Sequence, residues 1–347
     1  MIFPRYRADG HPFVEMNASQ QLARQTYLDK VARGEYRLKP LACLCGATTR
    51  QAIQIARKER HGLPQDTWMC RQCSLIYLSP YLDQQSLTRF YQEDYRNIYD
   101  GAHQPAGLLF QKQRIAGDQI ISALRAEPLK NLRVFEIGCG AGGILSQFKS
   151  TGCDVSGCDL DQRYVRYGQD QGLTLHLGSF LDLPLKGSYD LILLCEVLEH
   201  MPEPALVLRK ALNLLSPQGS LYIEVPLCTP HHELAAQLQN AHVWYFDEPT
   251  LKAYLETQGL EIDRSVFFTG YFGNFVKRRP SSSLKMRDAS IYGPKIRSYY
   301  FHELIGMIRR PLSKALRWIG ADYFPRLCYR EIRRLCYAAT KRFQENS

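Results

Sequence analysis

A doubly wound α/β fold with a mostly parallel sheet is what the sequence predicts, and three observations predict it. Between residues 83 and 275, short apolar runs alternate with helix-period segments, the pattern of repeated βα units. The first run opens into a turn dense in small residues, Gly138-Cys139-Gly140-Ala141-Gly142-Gly143, directly ahead of a helical segment. The second run ends in a carboxylate, Asp159, at about the 20-residue spacing expected of a ligand contact on the neighbouring strand.

The elements follow in order. Strands are expected at Arg133–Ile137, Val155–Asp159, Leu173–Leu177, Leu191–Cys195 and Gly219–Val225, each short and apolar. Helices are expected at Gly143–Ser150, Asp161–Asp170 and Pro204–Leu215. Pro204 suits a first helical turn, where its missing N–H costs nothing. Ser216-Pro217-Gln218-Gly219 then stops the chain and turns it. Leu251, Tyr254, Leu255 and Gln258 mark one more helix, ended by Gly259. The segment 1–40 is a polar N-terminal extension, with helix expected around Ala18–Arg33. Residues 41–82 hold paired cysteines, and 276–347 form a basic, helical tail after Pro280-Ser281-Ser282-Ser283.

Composition narrows the class. The N-terminus has no apolar run of the kind a signal peptide needs, and no stretch approaches the roughly 20 apolar residues that span a bilayer. A cytoplasmic location is expected. In that reducing compartment eleven cysteines imply metal ligation or burial rather than disulfides. Cys139, Cys153, Cys158, Cys195 and Cys228 read as small core residues. The charge is lopsided: from Lys277 onward there are 17 Lys and Arg against 5 Asp and Glu, and elsewhere 27 against 29. The excess of +10 therefore sits in the tail, which points to an acidic partner.

Glu136-Ile137-Gly138-Cys139-Gly140-Ala141-Gly142-Gly143 lies where a parallel sheet binds ligands, outside the carboxyl ends of its strands. Small residues let the backbone turn sharply and approach a ligand closely, and Asp159 can accept two ribose hydroxyls. Gly138, Gly140 and Gly143 also satisfy G-x-G-x-x-G, so a nicotinamide dinucleotide site stays open on this motif alone.

Further blocks surround it in order: Gly157-Cys158-Asp159-Leu160, Asp190 through His200 (Asp-Leu-Ile-Leu-Leu-Cys-Glu-Val-Leu-Glu-His), and Leu214 through Leu221. On these residues the chain resembles the class I S-adenosylmethionine-dependent methyltransferases over most of Leu87–Gly270, with their Rossmann-like fold. The resemblance implies that Gly138, Cys139, Gly140 and Gly142 pass close to the methionyl part of the cofactor and that Glu136 orients its ammonium end. It implies that Asp159 holds the ribose and that Leu160 packs on the adenine. Many relatives carry an acid after the third strand, where this chain has Ser179, so adenine contact is expected from Ser179, the Phe180 backbone or Asp182. Glu196 is expected to close the pocket or orient a loop.

Methyl transfer is an in-line displacement that needs alignment, water exclusion and, for some acceptors, a base. Histidine suits neutral pH, and the candidates are His200, after the fourth strand, and His242 in His242-Val243-Trp244-Tyr245-Phe246. Each has a plain alternative as a hydrogen-bonded loop residue. Trp244 and Tyr245 read equally as core or as a substrate-stacking wall.

Cys70-Arg71-Gln72-Cys73 is a C-x-x-C knuckle preceded by Cys43-Leu44-Cys45. Four thiolates around one tetrahedral zinc would fold a segment too small for its own core. With Leu78-Ser79-Pro80 and Phe90-Tyr91-x-x-x-Tyr95, this zinc-ribbon-like module resembles the N-terminal part of certain sugar methyltransferases, which act on nucleotide-linked deoxysugars. Its first pair departs from their C-x-x-C, leaving either a displaced fourth ligand or a lost metal. Tyr91, Tyr95 and Tyr99 read most simply as one face of a helix. The second large α/β domain that carbon-methylating relatives carry is not expected here, which makes carbon methylation less secure than oxygen methylation. The expected acceptor is a sugar or glycan intermediate of cell-envelope biosynthesis, methylated on oxygen or carbon. A nicotinamide-dependent oxidoreductase and a non-catalytic adaptor are the rival classes.

In the tail, Ile308, Leu312, Leu316 and Ile319 share a helical face flanked by Arg309, Arg310, Lys314 and Arg317. Such helices can pack on the catalytic domain with a solvated basic exterior, lie on an anionic membrane, or meet nucleic acid. The absence of a recognised RNA-binding module disfavours the last.

Overall fold

The structure is a computed structural model, which describes residues 6–101, 105–124, 129–228, 234–268 and 271–279. The basic tail, with its expected helices and membrane contact, lies outside the described residues.

The chain opens with helix α1 (Ala18–Ala32), fixed by a capping box in which Asn17 and Gln20 each accept from the other's backbone N–H. Strands β1 (Leu38–Lys39), β2 (Ala52–Lys58), β3 (Pro64–Cys70), β4 (Ile76–Leu78) and β5 (Tyr81–Leu82) follow. Next come helices α2 (Gln84–Glu93), α3 (Tyr95–Tyr99) and α4 (Ala106–Leu124). Asp94 separates α2 from α3, yet the Tyr91, Tyr95 and Tyr99 rings follow one another at 5.1 and 5.4 Å, on the one face expected of them.

The α/β units are β6 (Arg133–Ile137), α5 (Gly143–Ser150), β7 (Asp154–Asp159), α6 (Gln162–Asp170), β8 (Thr174–Leu177), β9 (Tyr189–Cys195), α7 (Pro204–Leu214) and β10 (Leu215–Pro226). After them come α8 (Leu234–Gln237), β11 (Trp244–Tyr245), α9 (Glu248–Thr257), β12 (Leu260–Phe268) and β13 (Tyr271–Arg278). The seven-stranded sheet has the order β12-β13-β10-β9-β6-β7-β8. Strands β8, β7, β6, β9 and β10 are mutually parallel, and β13 pairs antiparallel with both β10 and β12. Strand order reverses between β6 and β9, which opens a crevice at their carboxyl ends.

The sequence reading stops short of this sheet's edge. Leu260–Phe268 and Tyr271–Arg278 form its last two strands, so the sheet runs past residue 275, the expected end of the domain. The strands are legible as apolar runs because both faces are covered. Val134, Leu191 and Leu193 pack with Phe110, Ile144, Phe148 and Tyr222 in one buried cluster. A second, four-stranded sheet has the order β11-β4-β3-β2, so its outermost strand comes from residues 244–245, far along the chain.

Helix α5 starts at Gly143, against α4. A Cβ at Gly143 would collide with the Phe110 carbonyl oxygen, a backbone atom that cannot swing aside. Gly143→Ala is expected to destabilise the protein by about 1–3 kcal/mol, read as a lower midpoint in a thermal melt. An unchanged midpoint would show that α4 and α5 are not held this closely.

Candidate functional site

The crevice is built from the glycine turn outward. Gly138, Gly140 and Gly142 have φ of 69°, 53° and 80°, a region that costs a side-chain-bearing residue energy. A Cβ at Gly138 would also stand 2.7 Å from Val197 Cγ2. Cys139 is wholly buried and its N–H donates to the Cys158 carbonyl at 3.0 Å, which ties the turn to β7. Asp159 ends β7 and accepts from the Gly140 N–H at 2.8 Å with one oxygen and from the Asp161 N–H at 2.8 Å with the other. Burial raises its carboxyl above the usual range despite both bonds. Leu160 follows, half-buried.

Glu136 lies in the floor, buried, with one carboxylate oxygen lacking a hydrogen-bond partner. Burial, with Asp159 and Glu224 nearby, drives its carboxyl well above the normal range. A buried polar atom without a partner is costly, and an ammonium group entering the crevice would satisfy it. On the adenine side Ser179 Oγ accepts from the Leu181 N–H at 3.3 Å. The Phe180 ring is core, 5.9 Å from Phe135, and its carbonyl takes Lys210 Nζ at 2.7 Å. Lys210 also holds the Leu181 and Leu183 carbonyls, at 2.9 and 2.7 Å, so one helical lysine shapes the whole loop. Glu196 has φ 55° and faces solvent beside the crevice, where it accepts from the Tyr271 hydroxyl.

The two histidines meet. Residues Leu198–His200 form a single 3-10 turn after β9, and the rings of His200 and His242 lie 4.7 Å apart at 82°. His200 Nδ1 is 2.9 Å from the Ala241 carbonyl and 2.7 Å from the Tyr91 hydroxyl. A carbonyl can only accept, so Nδ1 carries the proton and Nε2 keeps its lone pair. Glu199 Oε1 lies 3.6 Å from His200 Nε2 and 3.9 Å from His242 Nε2, beyond hydrogen-bond reach. Burial lowers His200 to about 4 and His242 well below its usual value, and it raises Glu199. Both imidazoles are thus neutral at pH 7 and able to take up a proton. Trp244 and Tyr245 are buried, with Trp244 Nε1 on the Met201 carbonyl and the Tyr245 hydroxyl on Gln239, which makes them core rather than a stacking wall.

Sequence reasoning missed Gln113 and Arg96 and read Tyr91 and Tyr95 only as a helical face. Gln113 on α4 brackets the glycine turn, donating to the Cys139 carbonyl at 2.9 Å and accepting from the Gly143 N–H at 3.2 Å. Tyr91 and Tyr95 set their rings edge-on to His200 at 5.8 and 6.1 Å. Arg96 lies close enough to influence Asp159, Glu196 and His200 together. The aromatic spacing was visible in the sequence, but nothing local marks Gln113 or Arg96.

All four cysteines converge. Cys43 Sγ lies 3.4 Å from Cys73 Sγ and Cys45 Sγ 3.6 Å from Cys70 Sγ, and every pair is within 4.8 Å. Tetrahedral zinc with Zn–S of about 2.3 Å requires sulfurs about 3.8 Å apart. The set fits that ion, and the C-x-C spacing of the first pair does not prevent it. Gly46, at φ 87°, closes the first knuckle and donates to the Cys43 carbonyl at 2.7 Å. Hydrogen bonds from Cys43 lower the Cys45 thiol to about 7 and hold Cys70 below the ordinary thiol range.

This cluster adjoins the histidines through main chain. Strand β4 begins three residues after Cys73 and pairs with β11, Tyr77 opposite Trp244. The Leu78 N–H donates to the Val243 carbonyl at 3.0 Å, and the Val243 N–H donates to the Glu199 carbonyl at 2.8 Å. One zinc per chain is expected by metal analysis of the purified protein. Cys70→Ser or strong chelation should lower the melting midpoint by roughly 5–10 °C if the metal is worth about 3 kcal/mol. A metal-free protein with an unchanged midpoint would assign the thiols to simple burial.

With this geometry in place, similarity to known proteins adds the family. Residues 110–265 match the sequence family described as a methyltransferase domain. Two similar proteins are a ubiquinone biosynthesis O-methyltransferase from Xanthomonas oryzae pv. oryzae (strain PXO99A) and another of that name from Ralstonia nicotianae. The first is 31% identical over 110 residues, 29% of this chain and 46% of the relative. The second is 34% identical over 104 residues, 27% and 43% of the two chains. The chain thus spans less than half the length of these relatives. Among solved structures, the magnesium protoporphyrin IX methyltransferase of Synechocystis PCC 6803 overlays with a TM-score of 0.44 at 18% identity, covering 57% of this chain and all of that one. The family match takes in the glycine turn, Asp159, the Glu199-His200 turn and α9, so residues 110–265 of this chain are similar to a methyltransferase domain.

Proposed function

We propose that this protein binds S-adenosylmethionine in the crevice between β6 and β9 and transfers its methyl group to a hydroxyl of a small acceptor, a sugar or glycan intermediate. The observation that carries the cofactor site is Asp159, whose carboxylate is fastened to the glycine turn through Gly140 at the mouth of the crevice. The cofactor has no phosphate, so it needs carboxylates and open backbone rather than a lysine, and the crevice offers Glu136 and Asp159. When bound, it supplies an activated methyl group on a sulfonium. The protein aligns the acceptor, excludes water and receives the proton. The name of the relatives supports oxygen as the accepting atom. The cysteine module is what favours a sugar. A ring hydroxyl on a benzenoid acceptor is the second reading, favoured by the name those relatives carry.

His200 is the proposed base, with Nε2 as the accepting atom and Ala241 and Tyr91 holding the ring. His242 packs against it and keeps a second neutral imidazole at the pocket wall. Glu196 stands where the crevice opens. Among the described residues no helix is long and apolar enough to cross a membrane. Contact with an anionic inner-membrane surface through the tail is proposed on its charge alone.

Calorimetric titration with S-adenosylhomocysteine tests the cofactor. Micromolar binding that weakens at least tenfold in Asp159→Ala, with no response to NADH, is expected. Absence of binding, or binding of NADH instead, would overturn the reading. A labelled-methyl assay over envelope sugars and over hydroxylated benzenoids then separates the two acceptor classes.

The pH dependence follows from burial. The folded His200 pKa lies below its unfolded value, so the neutral base persists as pH falls and is lost only near pH 4. Folding stability declines over the window from about 6.5 down to 4, because only the unfolded imidazole gains a proton there. The acid limb of kcat/KM is expected below pH 5. His200→Asn should lower kcat by about 10²–10⁴ while leaving S-adenosylhomocysteine affinity intact. A limb near 6.5, or an undiminished kcat, would remove His200 from the chemistry.

A further inference from the structure

A pocket of about 270 Å³ lies beside the crevice, lined by Tyr91, Gln92, Glu93, Arg96, Asn97 and Arg163. Two of its walls are guanidinium groups. Arg96 sits over the Tyr95 ring at 5.1 Å and the Tyr164 ring at 5.0 Å, and Arg163 sits over the same Tyr164 ring at 5.8 Å. The bond to Asp161 raises the Arg163 pKa above its ordinary value, and the like charge of Arg96 opposes this only weakly. Each has a carboxylate partner outside the pocket lining: Asp100 at 3.1 Å for Arg96, and Asp161 at 2.8 Å for Arg163. The one carboxylate that lines the pocket, Glu93, is already engaged by Lys30 at 2.8 Å and Arg89 at 3.3 Å. The charges of the lining are thus all paired, Arg163 with both oxygens of Asp161 through Nε at 3.2 Å and Nη2 at 2.8 Å, and Arg96 with Asp100 through Nη1. Stacking fixes both guanidinium planes before any ligand arrives.

The pocket touches both ends of the methyl-transfer site. Tyr91 lines it and carries its hydroxyl to His200 Nδ1 at 2.7 Å. Arg96 is near enough to Asp159 on the cofactor side and to His200 on the acceptor side to act on both. We propose that Arg96 and Arg163 form a subsite for an oxyanion, a phosphate or a carboxylate, carried by the methyl acceptor. The anion anchors the acceptor at one end, and its hydroxyl-bearing part runs past Tyr91 to His200. This assignment rests on the methyl-transfer reading and adds the chemical class of the acceptor. Arg96 meets Asp100 through Nη1 and has further N–H donors for either anion, while the Nε–Nη2 fork of Arg163 is held by Asp161 and leaves Nη1 to add to the site.

The full-length protein, saturated with S-adenosylhomocysteine, is titrated with inorganic pyrophosphate and separately with benzoate, at low and high salt. Salt-sensitive binding of one anion is expected, and which one binds identifies phosphate or carboxylate as the source. Its affinity should fall roughly tenfold or more in Arg163→Gln and in Arg96→Lys, which keeps the charge and loses the fork. Cofactor-product affinity should stay within about twofold of the wild type in Arg163→Gln, whose side chain pairs with Asp161 rather than with Asp159. Arg163 is nearly half exposed, so its variant tests the site even if the Arg96 variant folds poorly.

Three results overturn the subsite while leaving the methyl-transfer reading intact. One is intact cofactor-product binding with no anion binding. Another is anion binding unchanged in both variants. The third is loss of cofactor-product affinity in the variants, which assigns the arginines to the cofactor's own carboxylate. Failure of the wild type to bind cofactor product overturns both proposals.

Discussion

Residues 239–246 belong to two structures at once, and the arrangement of the acceptor side depends on that shared segment. Its strand β11 completes the small sheet that begins at the four cysteines. Its Val243 N–H meanwhile holds the Glu199 carbonyl, at the turn that presents His200. Ala241, in the same segment, supplies the carbonyl that fixes the His200 tautomer. The hydrogen bonds are ordinary, each worth about 0.5–1.5 kcal/mol net. Their placement gives them weight, since breaking β4 from β11 would free the loop and both histidines together. Further ties reinforce it: Arg60 N–H to the Leu238 carbonyl at 3.0 Å, Asn240 N–H to the Tyr99 hydroxyl at 2.7 Å, and Asn240 Nδ2 to the Tyr27 hydroxyl at 2.7 Å. The N-terminal third is thus part of the wall around the histidines rather than an appendage.

The second theme is buried charge. Glu136 and Glu199 are almost fully enclosed, and Glu199 has no hydrogen-bond partner at either oxygen. A fold selected for stability alone would replace such groups with apolar ones, because the desolvation cost of a carboxylate is several kcal/mol. Their positions suggest what they would do. Glu136 faces the place where a cationic ligand group would arrive, and Glu199 stands between two imidazoles. Burial drives the carboxyls up and the histidines down, which brings the two kinds of group toward opposite ends of their ordinary ranges within one cleft. Separated pKa values of this kind are how a single cleft manages proton transfer near neutrality. By contrast Asp159 accepts two backbone N–H groups, and its role is to hold the turn as well as to face a ligand.

Much of this was legible in the chain. The five strands and three helices of the α/β core fall within a few residues of their expected bounds, because strands covered on both faces must be continuously apolar. Helices such as α6 and α7 likewise announce their starts with Asp161 and Pro204. The glycine turn and Asp159 were readable for a related reason: backbone conformations with positive φ admit few residue types, so local sequence must declare them. The four cysteines and both histidines were identifiable by type.

Their joining was not legible. Cys43 and Cys45 reach Cys70 and Cys73 only through the antiparallel pairing of β2, β3 and β4. The C-x-C spacing could not say whether four sulfurs would converge. His200 and His242 are 42 positions apart in the sequence and meet because β11 is carried onto the cysteine module's sheet. Gln113, Arg96 and Lys210 sit on helices where such residues are usually solvated, and only tertiary packing turns them toward the crevice. Periodicity records which face of an element is buried, and motif chemistry records which backbone shapes are needed. Which polar side chains meet across elements depends on how those elements cross. The sequence by itself therefore determined the sheet, the cofactor turn and the inventory of reactive groups. The tertiary structure decided that the cysteine cluster, the histidine pair and the arginine-lined pocket belong to one neighbourhood, because contacts between distant segments are set by packing geometry rather than by local pattern.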